Sequence, residues 1–483
     1  MDRRIFVATL AVIALTGCST TPSSPDQQFV DDVMRALGGR ARIESGPRFL
    51  TIEGRGVQYN LGQDMKPEAR TQTFEVTDYR RVIDVAQDRQ RIEQTRTPRF
   101  AYFQGPQPQR QIQSLDGQVG FNVNASGRAT RLAAASELER RIEFYHHPLT
   151  LAHALTVLDT RVTNVRTAGA ARQADIAIGP VRVTLTIDPA GLPLSASSPS
   201  AHANLGDVML TTTFARYQDI DGVKLPAQLA GKVDDFTVWE LEVTKQAFGT
   251  EAADLAAPAD VAAAPAATAA PNVTAEKIGS GVWLLAGQSH HSALVEFADH
   301  LMLIEAPHSE ARTLAVIATA KATVPNKPLT QLVITHHHFD HTAGMRAAIA
   351  EGMTMITHAG NREWVEHMAK RPHTIAPDTL ARNATRLVVD TVDDEKVFKD
   401  ASQAATVYHV AGNPHSETMV MVYIPRDRLL VEVDAFSPTS AVHPYAANLL
   451  ENIQRRKLQV DKIVPLHGVM APLAELVKVS TAK

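Results

Sequence analysis

The segment Thr335-His336-His337-His338-Phe339-Asp340-His341 sets four histidines and one aspartate into six consecutive positions. Imidazole and carboxylate at this density are the donors that a borderline divalent cation such as zinc takes. His336 and His338, two apart, face the same way from an extended segment. Asp340 and His341 then turn toward a neighbouring position, so one segment can serve two ions. By the same alternation His337 points away from them. The competing reading is a surface histidine tract that holds metal loosely.

Such a segment needs a rigid mount. Residues 331–334 form a short run, apolar after Gln331, that reads as a strand, and 343–351 reads as the helix after it. In a sheet of this type the site lies at the carboxyl ends of the strands, so further donors are expected at other strand ends. Three places fit. Residues 406–410 lead through Gly412-Asn413-Pro414 to His415, 428–433 lead to Asp434, and 462–466 lead to His467-Gly468. Residues 282–285, 293–297 and 301–304 read as three earlier strands, and 310–322 as a helix. This alternation predicts sheet covered by helices.

With these residues in place, the second half of the chain, about 273–483, resembles the metallo-β-lactamase superfamily. The resemblance rests on the H-x-H-x-D-H motif, the later histidine after a glycine turn, the strand-end aspartate and the final H-G. It implies an α+β or α/β fold: an αββα sandwich preceded here by a separate β-rich domain. It also implies two divalent metal ions, zinc in the first instance, with iron and manganese as alternatives. His336, His338 and His415 would hold the first ion, and Asp340, His341 and His467 the second. Asp434 would bridge them. Glu305 falls where the family often has a structural aspartate. The family's zinc β-lactamases commonly place a cysteine at the second metal, but the sole cysteine here is Cys18. Asp434 in the bridging place resembles instead the hydrolases of thioesters, lactones and phosphodiesters. The stretch from Gly412 to Tyr423 pulls the other way and resembles true β-lactamases, with Glu417 for an aspartate. The ligand set governs the metal chemistry directly and carries more weight.

The implied mechanism is hydrolytic. Water shared by two cations loses a proton near neutral pH and attacks an ester, thioester, lactone, amide or phosphodiester. Asp340 would be the catalytic residue, orienting that water. His443 and Tyr445, shortly after Asp434, are candidate substrate contacts. A true β-lactamase and a non-haem iron oxidoreductase of the same superfamily are the rival enzymes. A non-enzymatic lipid-binding module with a structural metal is the remaining rival. The other histidines, including His290, His291 and His308, lack ligand spacing and read as packing, surface or supporting groups.

The first half carries no comparable motif. Residues 181–187, 208–217, 223–229 and 236–243 alternate like strands, and 27–37 and 133–144 read as helices. Residues 26–250 thus read as a β-rich domain, with a faint resemblance to the curved sheet of outer-membrane lipoprotein carriers. His146-His147 has no acidic or cysteine neighbour and reads as packing. Residues 251–272, rich in alanine and interrupted by Pro258, Pro265 and Pro271, read as an extended linker. At the start, Arg3-Arg4 and an apolar run too short to span a bilayer lead to Leu15-Thr16-Gly17-Cys18. This resembles the lipobox of bacterial lipoproteins: residues 1–17 would be removed, Cys18 lipidated, and 18–25 left as a tether. Ser19 then favours an outer-membrane address facing the periplasm. A net charge of −4, with basic residues scattered, gives no case for a nucleic-acid partner. The expected partners are a small-molecule substrate and, through the lipid anchor, a membrane.

Overall fold

The computed structural model describes residues 24–46, 48–157, 159–250, 254–267 and 271–481. Cys18, the signal segment and most of the tether lie outside the described residues.

The first half begins with the helix Pro25–Leu37. Ser24 caps it by accepting a hydrogen bond from the Gln27 amide, and proline at the first turn gives up no needed donor. Thirteen antiparallel strands then form one sheet among the described residues. The first strand, Phe49–Tyr59, pairs with the last, Phe236–Gly249, in the middle of the sheet, and Ala129–Arg131 and Arg161–Ala168 form its two edges. Pro25–Leu37, Ala134–Tyr145 and Pro148–Ala154 bury one stripe each against a single face of the sheet. Phe29, Val33, Ile142, Phe144, Leu149 and Leu151 meet Leu50, Ile52, Ile83, Leu185 and Leu225 there. The other strand positions stay polar, which is the period-two signal seen in residues 181–187.

Residues 254–267 are not extended throughout. Ala259–Ala263 forms a short helix, and Leu255 and Val261 are buried. The Ala257 amide donates to Asp116, and the Ala267 amide to the Leu132 carbonyl, so this stretch lies along the first half.

The second half is a four-layer sandwich. A seven-stranded sheet runs from Thr274–Gly279 through Leu301–Ile304, Leu329–Val333 and Thr354–His358 to Val389–Val392. Its early strands pair antiparallel, and the last four run parallel. A six-stranded sheet holds Ala404–His409, Val420–Ile424, Leu429–Glu432 and Lys462–Pro465. Val420–Ile424, buried at every position, reads as an unbroken apolar run because both of its faces are covered. In Leu301–Ile304, Leu301 and Leu303 pack on the outer helices, whereas Met302 and Ile304 pack against the opposing sheet. The outer layers include Glu310–Thr323 and Arg362–Lys370 on one side and Ala446–Arg455 and Leu473–Thr481 on the other. The sandwich places the carboxyl ends of Leu329–Val333, Leu429–Glu432 and Lys462–Pro465 along one edge.

The two halves are packed together. Arg371 pairs with Asp234 at 2.6 Å, Asn204 donates to the Thr342 hydroxyl at 2.9 Å, and Asp207 accepts from the Thr374 and Ile375 amides. No described helix is long and apolar enough to cross a membrane.

Candidate metal centre

Strand Leu329–Val333 ends directly before the histidine-rich segment, which stays irregular until the helical turn Phe339–Thr342. His336, His338 and His341 are all buried, at 0–2 % exposure. His415 is presented by an Asn413 turn, whose side-chain oxygen accepts the His415 amide at 2.8 Å and also that of Ser416. Asp434 follows Leu429–Glu432 with φ of 58°, a left-handed conformation that a non-glycine residue adopts at a cost of about 1 kcal/mol. The turn is held by Glu432, which accepts from the Ala435 and Phe436 amides. Burial pushes the Glu432 carboxyl up to about 8. His467 follows Lys462–Pro465. Gly468 beside it admits no side chain, since a Cβ there would lie 2.4 Å from the Ser437 hydroxyl.

The donors converge in two sets. His336, His338, His415 and Asp434 offer atoms within 4.8 Å of one another, and so do His290, His341 and His467. Asp434 joins them. Its Oδ2 lies 3.6 Å from His336 Nε2, 3.1 Å from His415 Nε2 and 3.0 Å from His341 Nε2, while its Oδ1 accepts from His467 Nδ1 at 2.8 Å. Asp340 stands at the edge, half-buried, 3.3 Å from His290 and 3.6 Å from His341.

The hydrogen bonds fix which nitrogen each ring turns inward. His341 Nδ1 donates to Glu305 Oε2 at 2.8 Å. The Thr335 hydroxyl spends its hydrogen on Glu305 Oε1 at 2.6 Å, which leaves its oxygen to accept from His336 Nδ1 at 3.1 Å. His338 Nε2 donates to the Asp64 carbonyl at 2.9 Å. The opposite nitrogens therefore face inward, and on the neutral rings of His336 and His338 they carry lone pairs. His336 Nε2, His338 Nδ1, His341 Nε2 and His415 Nε2 are buried without a hydrogen-bond partner. Unsatisfied buried polar atoms are expensive, and four of them converging on a carboxylate fit divalent cations. Glu305 is thus a buried clamp on both His336 and His341, and its own backbone is left-handed at φ 73°.

The electrostatics agree. Burial, and then mutual repulsion, hold His336 and His338 well below the ordinary histidine range, so both are neutral donors. Burial opposes the charged form of Asp434, but the adjoining His341 outweighs it and holds that carboxyl well below its usual range. Burial likewise opposes charge on His341, yet Asp434 and Asp340 hold it well above its usual range. The cluster therefore favours net positive charge at its centre.

All seven residues singled out as ligands lie at this cluster, with Asp340 outside the two tight sets. His443 and Tyr445 line the adjoining cavity of about 460 Å³. His337 turns toward Trp364, with ring centroids 6.0 Å apart. Sequence reasoning missed His290, whose ring stacks on His467 at 3.8 Å. It precedes a strand, Ser292–Glu296, rather than following one, so the strand-end rule does not reach it. Gln63 was missed too: it lies in the other half of the chain, and its amide donates to Asp340 at 2.7 Å.

Residues 286–436 match the family model of the metallo-beta-lactamase superfamily. Among solved structures, a metallo-beta-lactamase from Hirschia baltica is 19 % identical, covering 43 % of this chain and 96 % of its own, with a TM-score of 0.34. The metallo-beta-lactamase FIM-1 from Pseudomonas aeruginosa, in a mono-zinc form, is 20 % identical over 43 % of this chain and 93 % of its own, with a TM-score of 0.34. A flavo di-iron protein from Thermotoga maritima is 14 % identical over 44 % of this chain and 61 % of its own, also at 0.34. No curated protein matches the chain. The C-terminal region has the metallo-β-lactamase fold, and the thirteen-stranded sheet precedes it.

Proposed function

We propose that this chain is a dinuclear metal-dependent hydrolase acting on an ester, thioester, lactone, amide or phosphodiester, with zinc as the first candidate metal. The observation that carries the reading is the set of buried, unpartnered ring nitrogens of His336, His338, His341 and His415, gathered around Asp434. His336, His338 and His415 would hold one ion, His341 and His467 the other, with Asp434 shared. A structural zinc needs four closed ligands, and this cluster offers more than that beside an open cavity.

Two bound cations supply Lewis acidity: they acidify water and polarise the bond to be cleaved. The protein's own groups do the rest. Asp340 accepts from Gln63, faces His290 and keeps a partly exposed carboxylate beside the cluster, where it orients a water. Glu305 fixes the tautomers of His336 and His341. His443 and Tyr445 border the space that substrate would fill. Export and lipid attachment at Cys18, on an outer membrane facing the periplasm, belong to the same reading and rest on residues 2–19 alone.

The test is metal content by mass spectrometry together with turnover of a panel: carboxylic esters, thioesters, lactones, amides, phosphodiesters and nitrocefin. Two ions per chain, hydrolysis of at least one class and its loss in Asp340→Ala and with chelator are expected. Nitrocefin as the preferred substrate would move the reading to a true β-lactamase. A fully loaded protein inert to the whole panel would overturn it.

A further inference from the structure

None of the residues from the first half lies within the 286–436 family match, yet two loops of that half reach the metal centre. The first joins Phe49–Tyr59 to Thr73–Asp84. Its carbonyls take one donor after another from the second half: Gly62 from the Phe339 amide at 3.1 Å, Asp64 from His338 Nε2 at 2.9 Å, and Met65 from the Glu417 amide at 2.7 Å. Gly62 is irreplaceable in this contact. Its φ is +77°, and a Cβ would lie 2.3 Å from the Phe339 ring. Between these anchors Gln63 reaches Asp340 Oδ1.

The second loop joins Arg89–Pro98 to Gln109–Asp116. Its Phe103 ring meets the His467 ring edge-on, with centroids 5.5 Å apart, and its Ala101 carbonyl accepts from the Tyr445 hydroxyl. The Phe103 carbonyl accepts from the Val442 amide at 3.3 Å. Phe103 and Gln104 thereby line the cavity together with Phe436, Val442 and Tyr445. No Lys or Arg is among the described residues lining that cavity. A substrate anion placed there would meet no protein cation. An uncharged group with apolar surface would meet Phe103, Phe436, Val442 and Tyr445, with the hydroxyls of Ser437, Thr439 and Ser440 beside them.

We propose that the first half of the chain is a working part of the active site, building with Phe103 a subsite for the uncharged, apolar acyl portion of a carboxylic ester or thioester and positioning Asp340 through Gln63. The proposal rests on the hydrolase reading above and narrows its substrate class. Two separate acts are assigned. Phe103 discriminates among acyl chains by contact, so its effect grows with chain length. Gln63 is a positioning residue, acting on Asp340 rather than on substrate.

The experiment uses the full-length protein loaded with zinc and, in parallel, with cobalt. The substrates are p-nitrophenyl acetate, butyrate and octanoate, and bis-p-nitrophenyl phosphate. In the wild type, kcat/KM should rise from acetate to octanoate and exceed that for the phosphodiester. Phe103→Ala should lower octanoate turnover roughly tenfold, mainly through KM, and leave acetate within about twofold. Phe103→Leu should restore most of the loss. Gln63→Leu should lower kcat for every ester by roughly tenfold or more with KM little changed, and should shift the cobalt absorption bands while metal content stays at two. Cobalt spectra also report the affinity for acetate and octanoate as product anions, and Phe103→Ala should shrink the octanoate-to-acetate affinity ratio. An affinity ratio and chain-length profile unchanged by Phe103→Ala would overturn the subsite. Preference for the phosphodiester would overturn the substrate class. Cobalt bands and kcat unchanged in Gln63→Leu would overturn the positioning role. If the loaded wild type hydrolyses nothing, the hydrolase reading fails by itself, and the affinity ratio, which needs no turnover, still decides the subsite.

Discussion

Each half of this chain buries adjacent histidines, and the two groups do opposite things. In the first half, His146 is fully enclosed, with Nε2 against the Ser198 hydroxyl at 2.8 Å and Nδ1 against that of Thr212 at 3.2 Å. His147 beside it accepts the Leu149 amide and caps the helix Pro148–Ala154. In the second half, His336, His338 and His341 each spend one nitrogen on an anchor and leave the other bare, aimed at Asp434. His147 also keeps a bare nitrogen, but no His, Asp, Glu or Cys donors gather around it among the described residues. Burial and residue type are therefore common to both places. What separates a ligand from a packing histidine is the convergence of unpaired nitrogens upon a carboxylate.

The contrast breaks most visibly at Asp434. Asp434→Asn should lower the metal content of the chain to below about one ion and reduce kcat/KM at least about 1000-fold, roughly 4 kcal/mol of transition-state stabilisation. His146→Gln, by comparison, should keep both ions. Two tightly held ions in Asp434→Asn, measured by dialysis and mass spectrometry, would erase the distinction.

Glu305 sharpens it. If the anchors set the tautomers, Glu305→Gln should weaken metal binding about 10- to 100-fold without emptying the site. Competition with a chromophoric chelator reads this directly, and an unchanged affinity would mean that the Glu305 contacts only pack.

The smallest expected effect lies in the first half and concerns stability. Burial depresses His146 to about 3 from its ordinary 6.5. Between those values the unfolded chain takes up a proton that the folded one refuses. The folded state keeps its full stability above about 6.5 and loses it as the pH falls toward 3. At about pH 5 the loss is about 2 kcal/mol. Urea unfolding at about pH 7 and pH 5 should show this decline in the wild type and a smaller one in His146→Gln. An equal decline in both would place the acid sensitivity elsewhere.

Residue type and spacing alone mark the parts whose signal is local. The apolar runs of the second half mark its strands because both faces of each sheet are covered, as Leu301 and Met302 show. The alternation in residues 181–187 marks a strand with one wet face. The histidine-rich segment, the Asn413 turn before His415 and the strand-end Asp434 carry their chemistry in residue type and position. Tertiary structure alone decided what depends on chain segments far apart in sequence. Glu305 reaches His341 because neighbouring parallel strands bring their ends together. His290 joins His467 because the Leu466 carbonyl accepts the His291 amide. Gln63 lies 277 positions before Asp340, in a half with no metal motif, and no periodicity in either segment encodes their contact. Side-chain type fixes what a residue can bind, but only packing fixes which lone pairs remain unpaired and where they meet.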